Sequence, residues 1–306
     1  MIKERSGGVR SGKMAKKILI AVPILIIILI LLAFATLLIG YDVTRDVRYS
    51  EGEECTMDIY TPWGAENTDP IGCVILIHGG SWSGGDKSEE ELRARLIARS
   101  GYMAVAINYT LFTAEADGTF DVHTMLNDVE AAISKIKKYA EDRGITIDKI
   151  ATAGYSAGAH LALLYAYSRK DTSPIEVAFT ASMAGPTEIS PDIWGEDLTI
   201  SIGNLLSTKN FDKDFIYTDY GEAILREISP TSYINSDSVP TLILQGAKDT
   251  TVPPANAEAL KSALSEASVG YEYILLPSST HALVEDIFGF ISYHFTLIKW
   301  CNDYLS

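Results

Sequence analysis

The feature that most restricts the fold is an alternation of short apolar runs with segments of helical periodicity. Cys73–Ile77 (CVILI) is an uninterrupted apolar run, which is typical of a strand buried on both faces. Further strands are predicted at residues 102–107, 149–153, 177–183, 241–245 and 272–276, and helices at 89–100, 122–140, 157–167, 255–264 and within 284–304. Strands separated by helices of this length form right-handed βαβ units. The sequence therefore predicts an α/β fold, with helices on both faces of a mostly parallel sheet.

The start of the predicted domain is assigned from composition. Residues 41–49 are polar and are predicted to be a short tether. Residues 55–60 (CTMDIY) alternate like an edge strand and are bounded by Pro62 and Gly64. One domain is therefore predicted over residues 41–306, with its first strand at residues 55–60.

A long interval at residues 186–228 interrupts the alternation of strands and helices. It is polar with only short helical patches, yet it contains the aromatic residues Trp194, Phe211, Phe215, Tyr217 and Tyr220. Ordinary connections between core strands are much shorter. Two interpretations stay open, a lid-like insertion that covers the substrate and a disordered loop. The aromatic residues favour the lid, because such side chains usually pack against something.

The first 39 residues have the composition of a membrane anchor. Residues 1–17 form a basic tail with six Lys and Arg against one Glu, and residues 18–39 are 22 residues without a charge. A helix of that length reaches about 33 Å, enough for a single transmembrane helix in the lipid bilayer. The basic flank predicts a cytoplasmic N-terminus and an extracellular domain at the cell membrane. The alternative is a secreted protein with a signal peptide cleaved near residues 33–35, although the apolar region of such peptides is usually only about 7–15 residues.

Charge and cysteine content narrow the classes of partner. The net charge is −15, so the residues after the basic tail carry −20 and would repel polyanions, which argues against nucleic acid. Cys55, Cys73 and Cys301 have no metal-binding spacing. A disulfide between Cys55 and Cys73 stays open, but buried thiols are favoured. The chain has no zinc-protease motif or phosphate loop, so neither a metal nor another cofactor is predicted.

The sequence GYSAG at residues 154–158 places a serine between a predicted strand and a predicted helix. Small residues on both sides of Ser156 allow the tight turn that lifts its hydroxyl above the strand ends. The backbone N–H of Ala157 lies at a helix N-terminus, where it can hold an oxyanion. Ser156 is therefore the candidate nucleophile.

Several motifs together resemble the α/β-hydrolase fold family, nearest to its esterase and lipase branch, which includes the hormone-sensitive-lipase-like enzymes. They are HGGSW (residues 78–82), GYSAGAHLAL (154–163), SPTSYI (229–234), GAKDTTVP (246–253) and a histidine after the last strand, and the resemblance covers most of the chain from about Cys55 onward. It implies that the HGG loop supplies oxyanion donors, here Gly79 and Gly80, with Ser81 as a further candidate. A glycine pair also lets backbone N–H groups approach an acyl oxygen closely.

A base and an acid are needed to activate a serine. Of the five histidines, His78 belongs to the HGG loop, and His123, His160 and His294 lie in predicted helices. His281 lies in the loop after the last predicted strand, so it is the candidate base. The order of the triad in this fold, serine, acid, histidine, points to Asp249, which follows the strand at residues 241–245. Its alternative role is that of a loop-capping residue, and Glu188 is the reserve candidate for the acid. Tyr155 and Trp82 are candidate substrate contacts, although Trp82 is equally well explained as a brace for its loop.

These residues predict a serine hydrolase that cleaves carboxylic esters through an acyl-enzyme intermediate. Two alternatives keep the same site and change the bond: an amidase of the arylformamidase kind, which shares the HGGxW pattern, and a peptidase that resembles the prolyl-oligopeptidase branch. A third alternative is a catalytically silent binding module, because this fold has been reused in that way. The presence of all three candidate triad residues favours an enzyme.

Overall fold

An eight-stranded sheet organises residues 41–306. The computed structural model describes residues 39–52, 54–67, 70–113 and 119–306. Its strands are β1 Tyr41–Arg48, β2 Thr56–Pro62, β3 Cys73–Ile77, β4 Met103–Ile107, β5 Lys149–Tyr155, β6 Glu176–Met183, β7 Thr241–Gly246 and β8 Tyr271–Leu276. They are ordered β1-β2-β4-β3-β5-β6-β7-β8, antiparallel from β1 through β2 to β4 and parallel across the other pairs. The predicted mostly parallel sheet is confirmed.

Helices cover both faces of the sheet, as predicted. They are α1 Glu91–Arg99, α2 Val122–Glu141, α3 Ala157–Ser168, α4 Pro191–Trp194, α5 Glu196–Leu206, α6 Asp219–Glu227, α7 Ala255–Glu266 and α8 Ile287–Tyr304, with short 3-10 turns at Ala65–Asn67, Lys87–Glu90, Phe215–Tyr217 and Pro230–Tyr233. The apolar side chains of α2, α3 and α7 form one core layer, and those of α1 and α8 form the other. In β3, Ile75 points into the first layer and Leu76 into the second, which is why this strand is apolar at every position.

The prediction of a polar tether at residues 41–49 is wrong, because Tyr41–Arg48 forms β1 and pairs with β2. Its polar side chains belong to an ion-pair cluster: Arg45 contacts Asp58 of β2 at 2.9 Å, and Lys87 lies 2.7 Å from Asp46 and 3.0 Å from Asp58. The edge position predicted for residues 55–60 is therefore also wrong, since β2 lies between β1 and β4. β1 is the edge strand, and its irregular register between Thr44 and Val47 is one way in which exposed edges avoid pairing with other chains.

The segment at residues 186–228 is folded, and it contains α4, α5, a 3-10 turn and α6. Trp194 and Phe211 are buried, and Phe215 packs against the core, whereas Tyr217 and Tyr220 are exposed. Three of the five aromatic residues thus pack as expected, and the disordered alternative is wrong for this segment. Its predicted role as a lid stays a prediction.

The predicted basic tail and all but the last residue of the predicted transmembrane helix lie outside the described residues. Among the helices that the structure does describe, none combines the length and the apolar character needed to cross a bilayer. The three cysteines, all within the described ranges, are buried and free, so Cys55 and Cys73 are not joined. Burial raises the pKa of both thiols.

We expect Gly158→Ala to destabilise the fold by about 3 kcal/mol or more, because overpacking of this kind forces the backbone apart. A Cβ at Gly158 would lie 2.0 Å from the Ile77 carbonyl oxygen and 2.4 Å from that of His78. Gly270→Ala is the matched control, because a Cβ there would have no heavy atom within 4 Å. Denaturant unfolding measures both variants, and the control should stay within about 0.5 kcal/mol of the wild type. Equal stabilities would show that the contact between β3 and α3 is not tight.

Candidate active site

Ser156 occupies a strained turn between β5 and α3. Its backbone has φ 53° and ψ −122°, and its N–H donates to the Met183 carbonyl at 2.9 Å. Positive φ is costly for a residue with a Cβ and persists only where neighbours fix the backbone. Here the backbone is fixed by close packing of β5 against α3, since a Cβ at Gly154 would lie only 2.3 Å from the carbonyl carbon of Gly158. Glycine at position 154 thus lets β5 and α3 approach closely enough to form the turn, and glycine at position 158 lets α3 approach the end of β3.

The side chains of Ser156, His281 and Asp249 form a hydrogen-bonded row. The His281 Nε2 atom lies 2.9 Å from the Ser156 Oγ, and the His281 Nδ1 atom lies 2.7 Å from the Asp249 Oδ2. Ser156 is 8% exposed and Asp249 3%, whereas His281 is partly exposed. The three residues follow β5, β7 and β8, whose carboxyl ends share one edge of the sheet. The structure thus brings together the three residues that the sequence predicted as a triad.

Asp249 is held by its own loop. Its Oδ1 atom accepts hydrogen bonds from the backbone N–H groups of Thr251 and Val252, each at 2.9 Å, and the Gln245 Nε2 atom lies 3.3 Å from its Oδ2. Asp249 therefore caps its loop and contacts His281 with the same carboxylate, so the two roles proposed from sequence are not exclusive. Glu188, the reserve candidate, lies after β6, and the acid contact to His281 is made by Asp249 instead.

The loop that carries His281 is packed against both neighbouring loops. The Tyr155 hydroxyl donates to the His281 carbonyl at 2.8 Å, and the two rings lie 5.1 Å apart. Burial raises the pKa of Tyr155 to about 12, so its hydroxyl stays a donor at neutral pH. A Cβ at Gly246 would lie 2.5 Å from the Thr280 carbonyl oxygen, which shows how closely the loops after β7 and β8 approach. Tyr155, predicted as a substrate contact, thus contacts the histidine loop.

The loop after β3 places two glycines beside Ser156. A Cβ at Gly79 would lie 3.3 Å from the Ser156 Cβ, and one at Gly80 only 2.0 Å from the Gly84 carbonyl oxygen. Gly80, Ser81 and Trp82 all have positive φ, at 112°, 53° and 59°. In the described part of the chain, the backbone N–H groups of Gly79, Gly80 and Ala157 have no hydrogen-bond acceptor. These donors are therefore free to bind a negatively charged oxygen.

His78 braces this glycine loop from inside. Its ring stacks on Tyr109 at 4.5 Å, and its Nδ1 lies 2.7 Å from the Gly79 carbonyl oxygen. Burial lowers the pKa of His78, so the ring is neutral at neutral pH and Nδ1 carries the proton that it donates to that carbonyl. The structure agrees with the prediction that His78 is a structural part of the loop.

Trp82 links the glycine loop to α3, the helix that follows Ser156. It is 6% exposed, and its Nε1–H donates to the His160 Nδ1 at 3.2 Å. The His160 Nε2 lies 2.8 Å from the carbonyl oxygen of Ile228, the last residue of the insertion. His160 must therefore carry its proton on Nε2, and burial lowers its pKa to about 4. Of the two interpretations of Trp82, this contact favours the brace.

The other two histidines lie away from the hydrogen-bonded row. His123 pairs with Glu227 at 2.7 Å, and the His294 Nδ1 donates to the Phe290 carbonyl at 2.8 Å within α8. Within the described ranges, no group of three or more His, Cys, Asp and Glu side chains is arranged to hold a metal ion.

The sequence did not predict the residues whose hydrogen bonds position the loops around Ser156. The contact of His160 with Trp82 joins positions that are 78 apart in the chain, and no local pattern signals it. Tyr155 is predicted to contact substrate, but its hydroxyl donates to the carbonyl of His281, 126 residues away in the chain. Gly246 could have been found, because a glycine at the end of a strand often marks a close approach of another chain segment.

Residues 57–264 match the family model BD-FAE, and this range contains the glycine loop, Ser156 and Asp249. The chain belongs to the BD-FAE family. This is a hormone-sensitive-lipase-like α/β-hydrolase family, so the resemblance expected from the motifs is confirmed. His281 lies beyond the matched range, so its place in the candidate triad rests on the hydrogen bonds to Ser156 and Asp249 described above.

Over most of its length, this chain is also similar to named esterases. It is 30% identical over 250 residues to Esterase LipQ of Mycobacterium tuberculosis, covering 78% of this chain and 57% of LipQ. It is 27% identical to the probable carboxylic ester hydrolase LipM of the same organism, covering 80% of this chain and 56% of LipM. The chain thus spans little more than half the length of these relatives. A solved carbohydrate esterase from gut microbiota, in truncated form, shares the fold with a TM-score of 0.70 at 18% identity, over 86% of this chain and 96% of that one.

We expect the buried His160 to make folding sensitive to acid. Its pKa falls from 6.5 to about 4 on folding, so between these values the unfolded chain binds a proton that the folded chain does not. The free energy of unfolding should therefore decrease as the pH falls from about 6.5 to about 4, by about 3 kcal/mol from this residue. Urea unfolding over this pH range should give a shallower dependence for His160→Gln than for the wild type. Identical slopes would contradict the assignment of a buried neutral ring.

Proposed function

We propose that this chain is a serine hydrolase that cleaves carboxylic esters through an acyl-enzyme intermediate. The observation that carries the proposal is the row from Ser156 through His281 to Asp249, with separations of 2.9 and 2.7 Å, at a turn that faces free backbone donors. A serine hydroxyl is a weak nucleophile, and a neutral imidazole in contact with it removes the proton as the oxygen attacks.

In the acylation step, the Ser156 Oγ attacks the carbonyl carbon of the ester, and its proton passes to the His281 Nε2. The carbonyl oxygen becomes an oxyanion, which the N–H groups of Gly79, Gly80 and Ala157 stabilise. Asp249 holds the His281 Nδ1–H and thereby favours the tautomer whose Nε2 is free to accept a proton. When the tetrahedral intermediate collapses, the bond from the carbonyl carbon to the alcohol oxygen breaks. The alcohol leaves with the proton from His281.

Deacylation uses the same groups in the reverse direction. A water molecule attacks the acyl carbon while His281 takes its proton, and the same backbone donors hold the second oxyanion. Collapse of this intermediate breaks the bond to the Ser156 oxygen, which recovers its proton from His281, and a carboxylic acid is released. Every proton is returned, so the reaction consumes only the ester and water.

An ester is proposed as the substrate, in preference to an amide, on the basis of the named relatives. LipQ is named an esterase and LipM a probable carboxylic ester hydrolase, and the solved neighbour is titled a carbohydrate esterase. Because the fold neighbours are distant in sequence, they support the architecture only. The ester class for this chain rests on the similarity to LipQ and LipM and on a site suited to acyl transfer.

The same proposal includes a membrane anchor at residues 18–39. Its support is the run of 22 uncharged residues, preceded by a tail with a net charge of +5. In this arrangement the catalytic domain lies on the outer side of the cell membrane and meets esters that arrive there. The insertion at residues 186–228 would cover the substrate, and its end at Ile228 is tied to His160 behind the nucleophile.

We expect a fluorophosphonate probe to label the full-length chain on one serine. An activated Ser156 should displace fluoride and become phosphonylated, because the probe resembles the tetrahedral intermediate. Gel fluorescence should show strong labelling of the wild type and of Ser190→Ala, and none of Ser156→Ala. Ser190 is a suitable control, since its Oγ is buried without a hydrogen-bond partner among the described residues. A folded wild-type chain that stays unlabelled would favour the silent binding module over the enzyme.

A further inference from the structure

Asp286 lies at the junction between the loop that carries His281 and the start of α8. Its Oδ2 atom accepts two hydrogen bonds from that loop, one from the Ser278 N–H and one from the Ser279 Oγ, each at 2.8 Å. The Ser279 Oγ in turn accepts the backbone N–H of Asp286 at 3.1 Å. Ser279 and Asp286 are thus joined in both directions, as are the two residues of a capping box. The segment before His281 is therefore fixed to the helix that follows the loop.

The backbone of Ser279 fixes the same segment to the loop that carries the acid. Ser279 is fully buried, and its carbonyl oxygen accepts the Lys248 N–H at 2.9 Å. Lys248 directly precedes Asp249, and Ser279 precedes His281 by two residues. A Cβ at Gly246 would lie 2.6 Å from the same carbonyl oxygen, so the two loops touch at this point. The position of Ser279 thus controls the spacing between Asp249 and His281.

The turn after His281 is strained and needs restraint from its neighbours. Leu283 has φ 61°, and its side chain is fully buried in the core layer of α1 and α8. This backbone conformation is costly for a residue with a Cβ and persists only where the surrounding structure fixes it. The Leu283 N–H donates to the Thr280 carbonyl at 3.2 Å, and the Thr280 Oγ1 donates to the Glu285 Oε1 at 2.7 Å. The hydrogen bonds of Asp286 close the turn at its far end, so their loss would let the turn relax and carry the imidazole with it.

We propose that Asp286 is a positioning residue for the base and acts through Ser279. The proposal rests on the proposed function, in which His281 accepts the proton of Ser156. The Asp286 carboxylate holds the backbone from which the imidazole extends, so that its Nδ1 lies 2.7 Å from the Asp249 Oδ2 and its Nε2 lies 2.9 Å from the Ser156 Oγ. A misplacement of about 1 Å at such a site costs on the order of 10²-fold in rate. The role is geometric, so it needs an acceptor oxygen at the Oδ2 position and does not need the negative charge.

The role is tested by comparing Asp286→Ala with Asp286→Asn in the full-length chain, on a short water-soluble aryl ester. Alanine removes the acceptor of both hydrogen bonds, so kcat should fall about tenfold or more while KM stays within about twofold of the wild-type value. Asparagine places an amide oxygen where Oδ2 lies, so it should restore kcat to within about threefold of the wild type. Asp286 is only partly buried, so neither substitution opens a cavity in the core.

Asp121→Ala is the matched control for the loss of such a carboxylate. Like Asp286, Asp121 is partly buried, directly precedes a helix and accepts hydrogen bonds from a backbone N–H and a hydroxyl, here those of Thr124 at 3.1 and 3.4 Å. This variant should keep kcat within about twofold of the wild type. An Asp286→Ala variant with the wild-type kcat overturns the proposal. An equal loss in Asp286→Ala and Asp286→Asn also overturns it, because the charge would then act in place of the geometry.

A double-mutant cycle separates positioning from a general effect on the fold. If Asp286 acts by holding His281 against Asp249, its removal should matter little once that contact has been altered. In an Asp249→Asn background, Asp286→Ala should therefore lower the rate of Ser156 acylation by less than about twofold, compared with about tenfold or more in the wild type. The same factor in both backgrounds, which a loss of folded protein alone would give, overturns the role of Asp286. A folded wild-type chain that does not hydrolyse the ester would instead overturn the proposed function, and this role with it.

Discussion

The reversal of the chain between β5 and α3 is the constraint on which the rest of the site depends. It is completed at Ser156, whose positive φ is not offset by a capping hydrogen bond from its own side chain to α3. Strain of this kind costs on the order of 1–3 kcal/mol and needs surrounding structure that leaves the backbone no alternative. Gly154 and Gly158 provide it, because their missing side chains let β5, α3 and the end of β3 touch. The position of the hydroxyl is thus set by packing in the centre of the sheet.

The remaining groups reach Ser156 because parallel strands deliver their loops to one edge. The glycine loop follows β3, the acid follows β7 and the histidine follows β8. Two hydrogen bonds fix these loops relative to Ser156. The Tyr155 hydroxyl donates to the backbone carbonyl of His281, and the Trp82 indole donates to His160 on α3. Each of these contacts involves a residue of β5 or α3, next to Ser156, so the same segment positions Ser156, the His281 loop and the glycine loop.

Much of this arrangement is predictable from the sequence, because apolar runs such as Cys73–Ile77 require burial on both faces and the candidate residues lie in the turns and loops that follow predicted strands. β1 could not be predicted from the sequence, because its charged residues are typical of an exposed tether. In the folded sheet, Arg45 and Asp46 of β1 pair with Asp58 and Lys87, which are distant in the chain. The helices of the insertion were underestimated for a related reason. Residues such as Phe211 are buried against Gly203 within the insertion and join the core layer of α2 and α3. Contacts of this kind between short helices leave only a weak periodic signal in the sequence.

The claim that Asp249 and His281 activate Ser156 is tested most directly by the rate at which the serine becomes acylated. Rapid acid quench after mixing with an activated ester, followed by mass spectrometry of the peptide around Ser156, measures that rate. The account predicts acylation of Ser156 in the wild type, a rate about 10³- to 10⁴-fold lower in Asp249→Asn because the imidazole is held in the wrong tautomer, and no change in Glu188→Gln. An unchanged rate in a folded Asp249→Asn variant, or acylation at another residue, would contradict it.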